Sequence, residues 1–521
     1  MLQKIGIENY KAFKTAQIPI KPITILLGAN SVGKSSIIQL LLLLQQTGKE
    51  SLKSYKSALK LYGGYVNLGD SINLIHNKDK KSDIKLEFEL RSKKLKNIFG
   101  KALLESFVDN FESIPRYIPV TAFKDIRNKK INSVDDLKFF IDAFIKLLEN
   151  QNAKDFIEEV KWLLDNRSFY RIGNINRKTK NDLINTYEFL NLLSKNSKIE
   201  TFDISIKITH SDNNFYVSDL ILKQKDIVLI SIKNKEEFNI TSDLIKIDDF
   251  VIKEIKEVFN PYNTIFSIFN FRRSEIIHSS LAQVLIEVLN YSLKELGEEF
   301  TESKINYVSP LRAHPKRYYM LDKDKINVTL DTLDGDAIAD VLKDNSNIKK
   351  KVNNWLEKFK LQVNVEEFKE VIHHLKIKQN NLDLDITDVG FGISQLLPVI
   401  IQGFLSSNDS TTIIEQPEIH LHPKIQAELA DLFIDIIKNN REKKLVIETH
   451  SEYLLKRLRR RISEGKISSN DVSICLFHPF SEDKPAYIEN LEIEKKGFFE
   501  WPLEFYGGEL LKDTTEFLKN Q

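Results

Sequence analysis

The opening of the chain has the pattern of strands. Ile5 and Ile7, and again Ile18 and Ile20, recur every second residue. Ile23-Thr24-Ile25-Leu26-Leu27 is a short, almost unbroken apolar run. Alternation suits a half-buried strand, and the continuous run suits a strand covered on both faces. A helix is predicted next, over Lys34 to Gln46. Ile84-Lys-Leu-Glu-Phe-Glu-Leu then alternates cleanly as a further strand. From about Leu95 the period changes. Ser133-Val-Asp-Asp is a capping-box-like helix start, and Leu137, Phe140, Ile141, Phe144, Leu147 and Leu148 share one helical face. Strand pattern returns between Lys198 and Ile240, and the stretch from Phe250 to Glu302 is predicted to be helical again. In the last part strand and helix alternate: Thr411-Thr-Ile-Ile, then a helix carrying Ile425, Leu429, Leu432, Phe433 and Ile436, then Leu445-Val-Ile, then a helix from Ser451 to Arg461. That alternation predicts βαβ units and a parallel sheet.

The expected architecture is an α/β head built from both ends of the chain and split by a mostly helical insertion. Its expected parts are 1–94 (the N-terminal part of the head), 95–305 (the insertion, with some strands returning to the head), 306–480 (the C-terminal part of the head) and 481–521 (a tail subdomain). A chain of 521 residues, 42% hydrophobic and 29% charged, has ample material for such cores. Lys and Arg number 76 against 74 Asp and Glu, which excludes a histone-like polycation but not a local basic patch. Cys475 is the only cysteine, so no intrachain disulfide or cysteine metal cage can form, and a cytoplasmic address is expected. No apolar run approaches the roughly 20 residues that span a bilayer, so no membrane partner is expected.

Gly28-Ala-Asn30-Ser-Val-Gly33-Lys34-Ser35 fits G-x-x-x-x-G-K-[ST] in full, between a buried strand and a predicted helix. Glycines let backbone N–H groups turn inward on phosphates, and the helix N-terminus adds its dipole. Lys34 would supply a point charge to the β- and γ-phosphates and Ser35 a hydroxyl to Mg²⁺, with Ser36 beside it. The expected cofactors are therefore ATP and Mg²⁺. A second acid is required for the ion. Glu415, which ends the strand Thr411-Thr-Ile-Ile, occupies the place of a Walker B carboxylate. Gln416, Pro417 and Glu418 follow it. Upstream, Asp388-Val-Gly390-Phe-Gly392-Ile-Ser394-Gln395 precedes an apolar helix and offers a second helix-terminal anion site or an ordinary turn and cap. Downstream, His450 follows a strand end, where a γ-phosphate sensor would sit.

Four elements in this order resemble the ATP-binding-cassette ATPases, specifically the soluble SMC-like and OLD-like AAA family ATPases of bacterial defence and DNA repair. The resemblance covers roughly 1–93 and 306–480. It implies an ABC-type P-loop NTPase head in which Gly390, Gly392, Ser394 and Gln395 form the signature that closes on the partner's ATP. It implies that Glu415 is the Walker B acid, that Pro417 to His422 is the D-loop region and that His450 is the switch histidine. An ATP-dependent homodimer or higher homo-oligomer follows. Tyr307-Val-Ser-Pro-Leu-Arg312 and Gly497-Phe-Phe-Glu-Trp501-Pro502 look like recurrent features of one subgroup, whose C-terminal domain has no established role. The family usually has Asp-Glu where this chain has Glu415-Gln416. The expected catalytic set is thus Glu415, Gln416, Glu418 and His450, with Ser35 and Glu415 as Mg²⁺ ligands. The stretch after His450 is too short for a nuclease domain, so a separate effector protein is expected. The implied function is the sensor or motor of an anti-phage or DNA-transaction complex. A nucleotide-dependent scaffold with little hydrolysis and a DNA-repair ATPase are the alternatives.

Three further groupings have two readings each. Lys456, Arg457, Arg459, Arg460 and Arg461 are either a solvated helix end or a phosphate-contact patch for nucleic acid. Arg312, Lys316, Arg317, Tyr318 and Tyr319 suit stacking on nucleic acid or plain packing. His420 and His422 have the spacing of a metal pair but stand in the D-loop region.

Overall fold

A computed structural model of the chain describes residues 1–49, 57–92, 177–196, 200–212, 214–270, 279–320, 337–369, 372–379, 382–438, 442–481, 485–500 and 515–519, with positions 138, 142 and 277. The helix expected from Ser133 onward lies outside the described residues, apart from positions 138 and 142.

Three sheets organise the described residues. The first has seven antiparallel strands in the order β2-β1-β4-β5-β6-β7-β8: β1 (Leu2–Tyr10), β2 (Phe13–Pro19), β4 (Ile84–Arg91), β5 (Thr201–Ser211), β6 (Asn214–Gln224), β7 (Ile227–Lys233) and β8 (Asn239–Thr241). Its alternation is the one read from sequence: in β4, Ile84, Leu86, Phe88 and Leu90 are buried while the charges between them face outward. The second sheet has the order β17-β16-β3-β15-β14-β9, from β3 (Ile23–Gly28), β9 (Ile305–Val308), β14 (Thr411–Glu415), β15 (Lys444–Glu448), β16 (Val472–His478) and β17 (Tyr487–Leu491). Its strands run parallel except for β17 at the edge. Every residue of β3, β14 and β15 is buried, as strands covered on both faces require. The third sheet is antiparallel: β10 (Tyr319–Met320), β12 (Ile372–Gln379) and β11 (Leu361–Lys369), with β13 (Leu382–Asp385) also on β12.

The parallel sheet separates two cores. Leu26, Ile413, Val446 and Cys475 face the antiparallel sheet together with helix α1 (Lys34–Lys49), whose Ile37, Ile38 and Leu40 to Leu44 are all buried. Cys475 is inert core, its thiol pushed up to about 12 by burial. Ile25, Leu27, Ile414, Leu445 and Ile447 face the other way. They pack in a core shared with α5 (Ala337–Asp344), α6 (Ser346–Leu356), α7 (Phe391–Leu405), α8 (Pro423–Ile437) and α9 (Glu452–Ser463).

The 95–305 stretch contributes to the head directly. Four of its strands, β5 to β8, continue the sheet begun by β1, β2 and β4. Its helices α2 (Arg177–Asn196), α3 (Asp249–Val258) and α4 (Ser280–Glu298) bury apolar residues in the same core as α1. Of the tail, β17 pairs β16, and Phe499 is buried in the second core.

Candidate functional site

The site forms where β3, β15 and β14 end side by side. β3 runs straight into the loop 28–33 and then α1. Gly28 and Gly33 sit at φ values of 151° and 102°, which side chains rarely tolerate. Space agrees with conformation: a Cβ at Gly33 would stand 2.6 Å from Phe13 Cζ, and one at Gly28 would stand 2.8 Å from the Phe477 carbonyl. Asn30, Ser31 and Ser35 are exposed, and Ser36 and Gly33 are half-buried.

Lys34 is buried and folds back over its own loop. Its Nζ donates to the carbonyls of Gly28 (2.9 Å) and Ala29 (2.6 Å) and lies 3.6 Å from Glu448 Oε1. Burial lowers its pKa, and the Glu448 charge opposes that.

Glu448 ends β15, and parallel register sets it beside Glu415 at the end of β14. The Glu415 carboxylate accepts a 2.6 Å hydrogen bond from the Tyr307 hydroxyl. Its pKa is pushed up to about 7, first by burial and then by Glu448; Tyr307 and Arg312 oppose the rise. Arg312 is buried and donates from Nη2 to the carbonyls of Glu415 (2.7 Å) and Gln416 (3.3 Å). Burial brings its pKa down to about 10.

The turn after β14 is tied to the turn after β15. Gln416 has φ 44°, and its N–H donates to the Glu448 carbonyl at 2.8 Å. The Glu418 carboxylate takes the His450 backbone N–H on Oε1 (2.6 Å) and the Thr449 hydroxyl on Oε2 (2.9 Å). Burial raises its pKa. The His450 ring is shifted down, by burial and then by the Lys34 charge.

The signature segment packs on this turn. Gly390 caps α7 and is exposed, while a Cβ at Gly392 would meet the His420 carbonyl at 2.8 Å. Ser394 and Gln395 are buried within the protomer. Of these four residues only Gly390, at the α7 N-terminus, is exposed.

The structure thus brings Lys34, Glu415, Gln416, Glu418 and His450 together at adjoining strand ends. Glu448, Thr449, Tyr307 and Arg312 complete the site and were not singled out for it by sequence. A signal existed for Glu448, since it ends an apolar strand in the manner of Glu415. Arg312, weighed above as a nucleic-acid contact, lies buried beneath the Glu415 carbonyl instead. The basic cluster of α9 is largely paired. Arg457 bonds Glu428 and Asp431, Arg461 bonds Asp431 and Glu464, Arg460 bonds Glu464 and Lys456 bonds Glu452. Arg459 lies over the Phe498 ring. His422 caps α8, accepting from Lys424 N–H. Among the described residues no group of three or more His, Cys, Asp or Glu is placed to hold a metal ion, and no helix is long and apolar enough to cross a membrane.

Solved structures similar to the chain include the SMC head domain from Thermotoga maritima (7% identity, 94% of this chain and 99% of that chain, TM-score 0.35). Another is the SmcHead bound to the C-winged helix domain of ScpA (10%, 95% and 99%, TM-score 0.37). A third is the Smc head domain with an extended coiled coil bound to the C-terminal domain of ScpA from Pyrococcus furiosus (12%, 99% and 99%, TM-score 0.34). At these scores the likeness bears on neither the fold nor the activity. No curated protein matches the chain. The family model of the AAA ATPase domain matches residues 1–455, a span that holds the whole site from Gly28 to His450, and the chain belongs to that family.

Proposed function

We propose that the chain binds ATP with Mg²⁺, hydrolyses it slowly, and dimerises while ATP is held. The observation that carries this reading is Lys34. A buried ammonium satisfied only by the Gly28 and Ala29 carbonyls and one nearby carboxylate is poised to exchange those carbonyls for phosphate oxygens. The glycines let the loop turn its N–H groups on an anion, and α1 begins at Lys34 itself, so its N-terminal dipole favours the same anion.

The residues fit Mg²⁺. Ser35 and Glu415 are hard oxygen donors, and this ion is usually held by one or two carboxylates plus substrate phosphates rather than by a protein cage. When bound, the ion offsets charge on the β- and γ-phosphates. Tyr307 holds Glu415 in place for that role. Arg312 fixes the backbone at Glu415 and Gln416.

Gln416 occupies the position where the family's resemblance calls for a carboxylate. An amide orients water but is a poor base, so turnover is slow and the ATP state persists. The exposed α7 N-terminus at Gly390 contacts the γ-phosphate held by the partner protomer. A persistent ATP-bridged assembly suits a sensor or motor that commands a separate effector, in anti-phage defence or a DNA transaction. Pairing within the α9 cluster leaves direct nucleic-acid contact through that helix without support.

Lys34→Ala tests the reading. It removes the only cation in the loop, and ATP binding by calorimetry is expected to vanish. Unchanged affinity would refute it.

A further inference from the structure

We infer that Glu448, at the end of the strand between the P-loop strand and the Walker B strand, supplies the carboxylate that Gln416 lacks and orients the attacking water. This rests on the ATPase reading above and adds a residue to it.

The other acids at these strand ends are already engaged. Glu418 is the nearest carboxylate in sequence, but each of its oxygens holds the following loop, one through the His450 N–H and the other through the Thr449 hydroxyl. Turning it toward a water would leave both donors unpaired. Glu415 is held by Tyr307 and assigned to the ion. Gln416 has no carboxylate, and its backbone is fixed from both sides by Glu448 and Arg312. Glu448 remains. Its side chain is 5% exposed, and its Oε2 is buried with no donor from a main-chain or neutral side-chain group among the described residues, the Glu415 carboxyl standing beside it. Its other oxygen lies 3.6 Å from the ammonium that would bind the β- and γ-phosphates. An orphaned buried carboxylate oxygen is costly unless something fills it. A water held between Oε2 and the γ-phosphorus satisfies that oxygen and stands in the place the reaction requires.

In the reaction the oxygen of that water forms a bond to the γ-phosphorus. The bond from the γ-phosphorus to the bridging oxygen breaks, and its electron pair leaves with ADP. The water's proton passes to Glu448 and from there to the departing phosphate or to solvent. No further reactant is needed.

The charge makes a second demand. In the empty site Glu448 offsets Lys34; with ATP bound it faces the polyphosphate. Removing its charge frees Lys34 and lifts a repulsion. Glu448→Gln in the full-length protein should therefore bind Mg²⁺-ATP at least as tightly as wild type, while single-turnover hydrolysis falls by about 100-fold or more. Nucleotide recovered from the variant after prolonged incubation should remain ATP. Wild-type turnover in Glu448→Gln would overturn the inference and leave the ATPase reading standing. So would loss of ATP binding in a variant that melts like wild type, because Glu448 would then be a structural counter-ion. Should Glu448→Gln not fold, Glu448→Asp keeps the charge but withdraws it by one methylene. It should hydrolyse at least ~10-fold more slowly at unchanged ATP affinity, and an unchanged rate would overturn the inference. Failure of the wild-type protein to bind ATP would instead refute the reading on which this rests.

Discussion

Glu418 is a strut between two loops, and two substitutions separate that role from catalysis. Glu418→Ala deletes both acceptors, leaving the His450 N–H and the Thr449 hydroxyl without the carboxylate that holds them. Hydrogen bonds to a charged group contribute about 1.5–3 kcal/mol each, so losing the pair should cost about 3–6 kcal/mol. Glu418→Gln is milder. Its carbonyl can still accept from His450, and its amide can donate to the Thr449 oxygen, which keeps a lone pair beside the one used by the Ser451 N–H. With both partners kept, the difference from wild type is on the order of 1 kcal/mol or less. Thermal and denaturant unfolding of the three proteins measure the difference. The pH dependence has a definite sign. Burial raises the folded-state pKa of Glu418 above its ordinary 4.5, so the stability it lends relative to Gln is greatest at low pH. That advantage is lost as pH rises through the folded value. The deficit of Glu418→Gln should accordingly shrink between acid and mildly alkaline solution. Equal melting of Glu418→Ala and wild type would refute the strut, as would a deficit of the Gln variant that grows with pH. A strut also predicts that Glu418→Gln keeps most single-turnover activity.

Two further outcomes follow from the loop and from the signature helix. Gly33→Ala places a methyl 2.6 Å from Phe13 Cζ at a φ of 102°; ATP affinity by calorimetry should drop about 5- to 150-fold, since conformational strain of this kind costs about 1–3 kcal/mol, and an unaltered affinity would show that the turn is not held by Phe13. Gly390→Asp meets nothing within 4 Å and adopts an ordinary φ of −49°, so it should cap α7 and leave ATP binding by the protomer intact while repelling a partner's γ-phosphate; sedimentation showing normal ATP-driven association would refute the composite site.

What could be read from sequence followed from local chemistry. The P-loop was legible because strand, glycines, Lys34 and the start of α1 are contiguous, and Glu415 because it closes an apolar strand. The alternation of β4 gave its buried face directly. Other features depend on which strands become neighbours. The pairing of β4 with β5 spans more than a hundred residues, so the strands expected to return from the 95–305 stretch had no partner that sequence could name; β5 to β8 continue the antiparallel sheet from β4. Ser394 sits in a motif that suggests an outward anion site, yet its burial is set by α7 packing over the turn that follows β14.

Glu448 shows the same limit at the site itself. Alone it is an acid at a strand end, a common surface feature. It becomes a site residue only because β15 lies between β3 and β14 in parallel register, with Leu26 opposite Glu448 on one side and Glu415 opposite it on the other. That register sets two buried acids side by side at the strand ends, one of them 3.6 Å from the Lys34 ammonium that opens α1. A chain with this sheet order does not need its water-orienting carboxylate immediately after the Walker B acid. The neighbouring strand presents one at the same level, so a glutamine at position 416 slows hydrolysis without abolishing it.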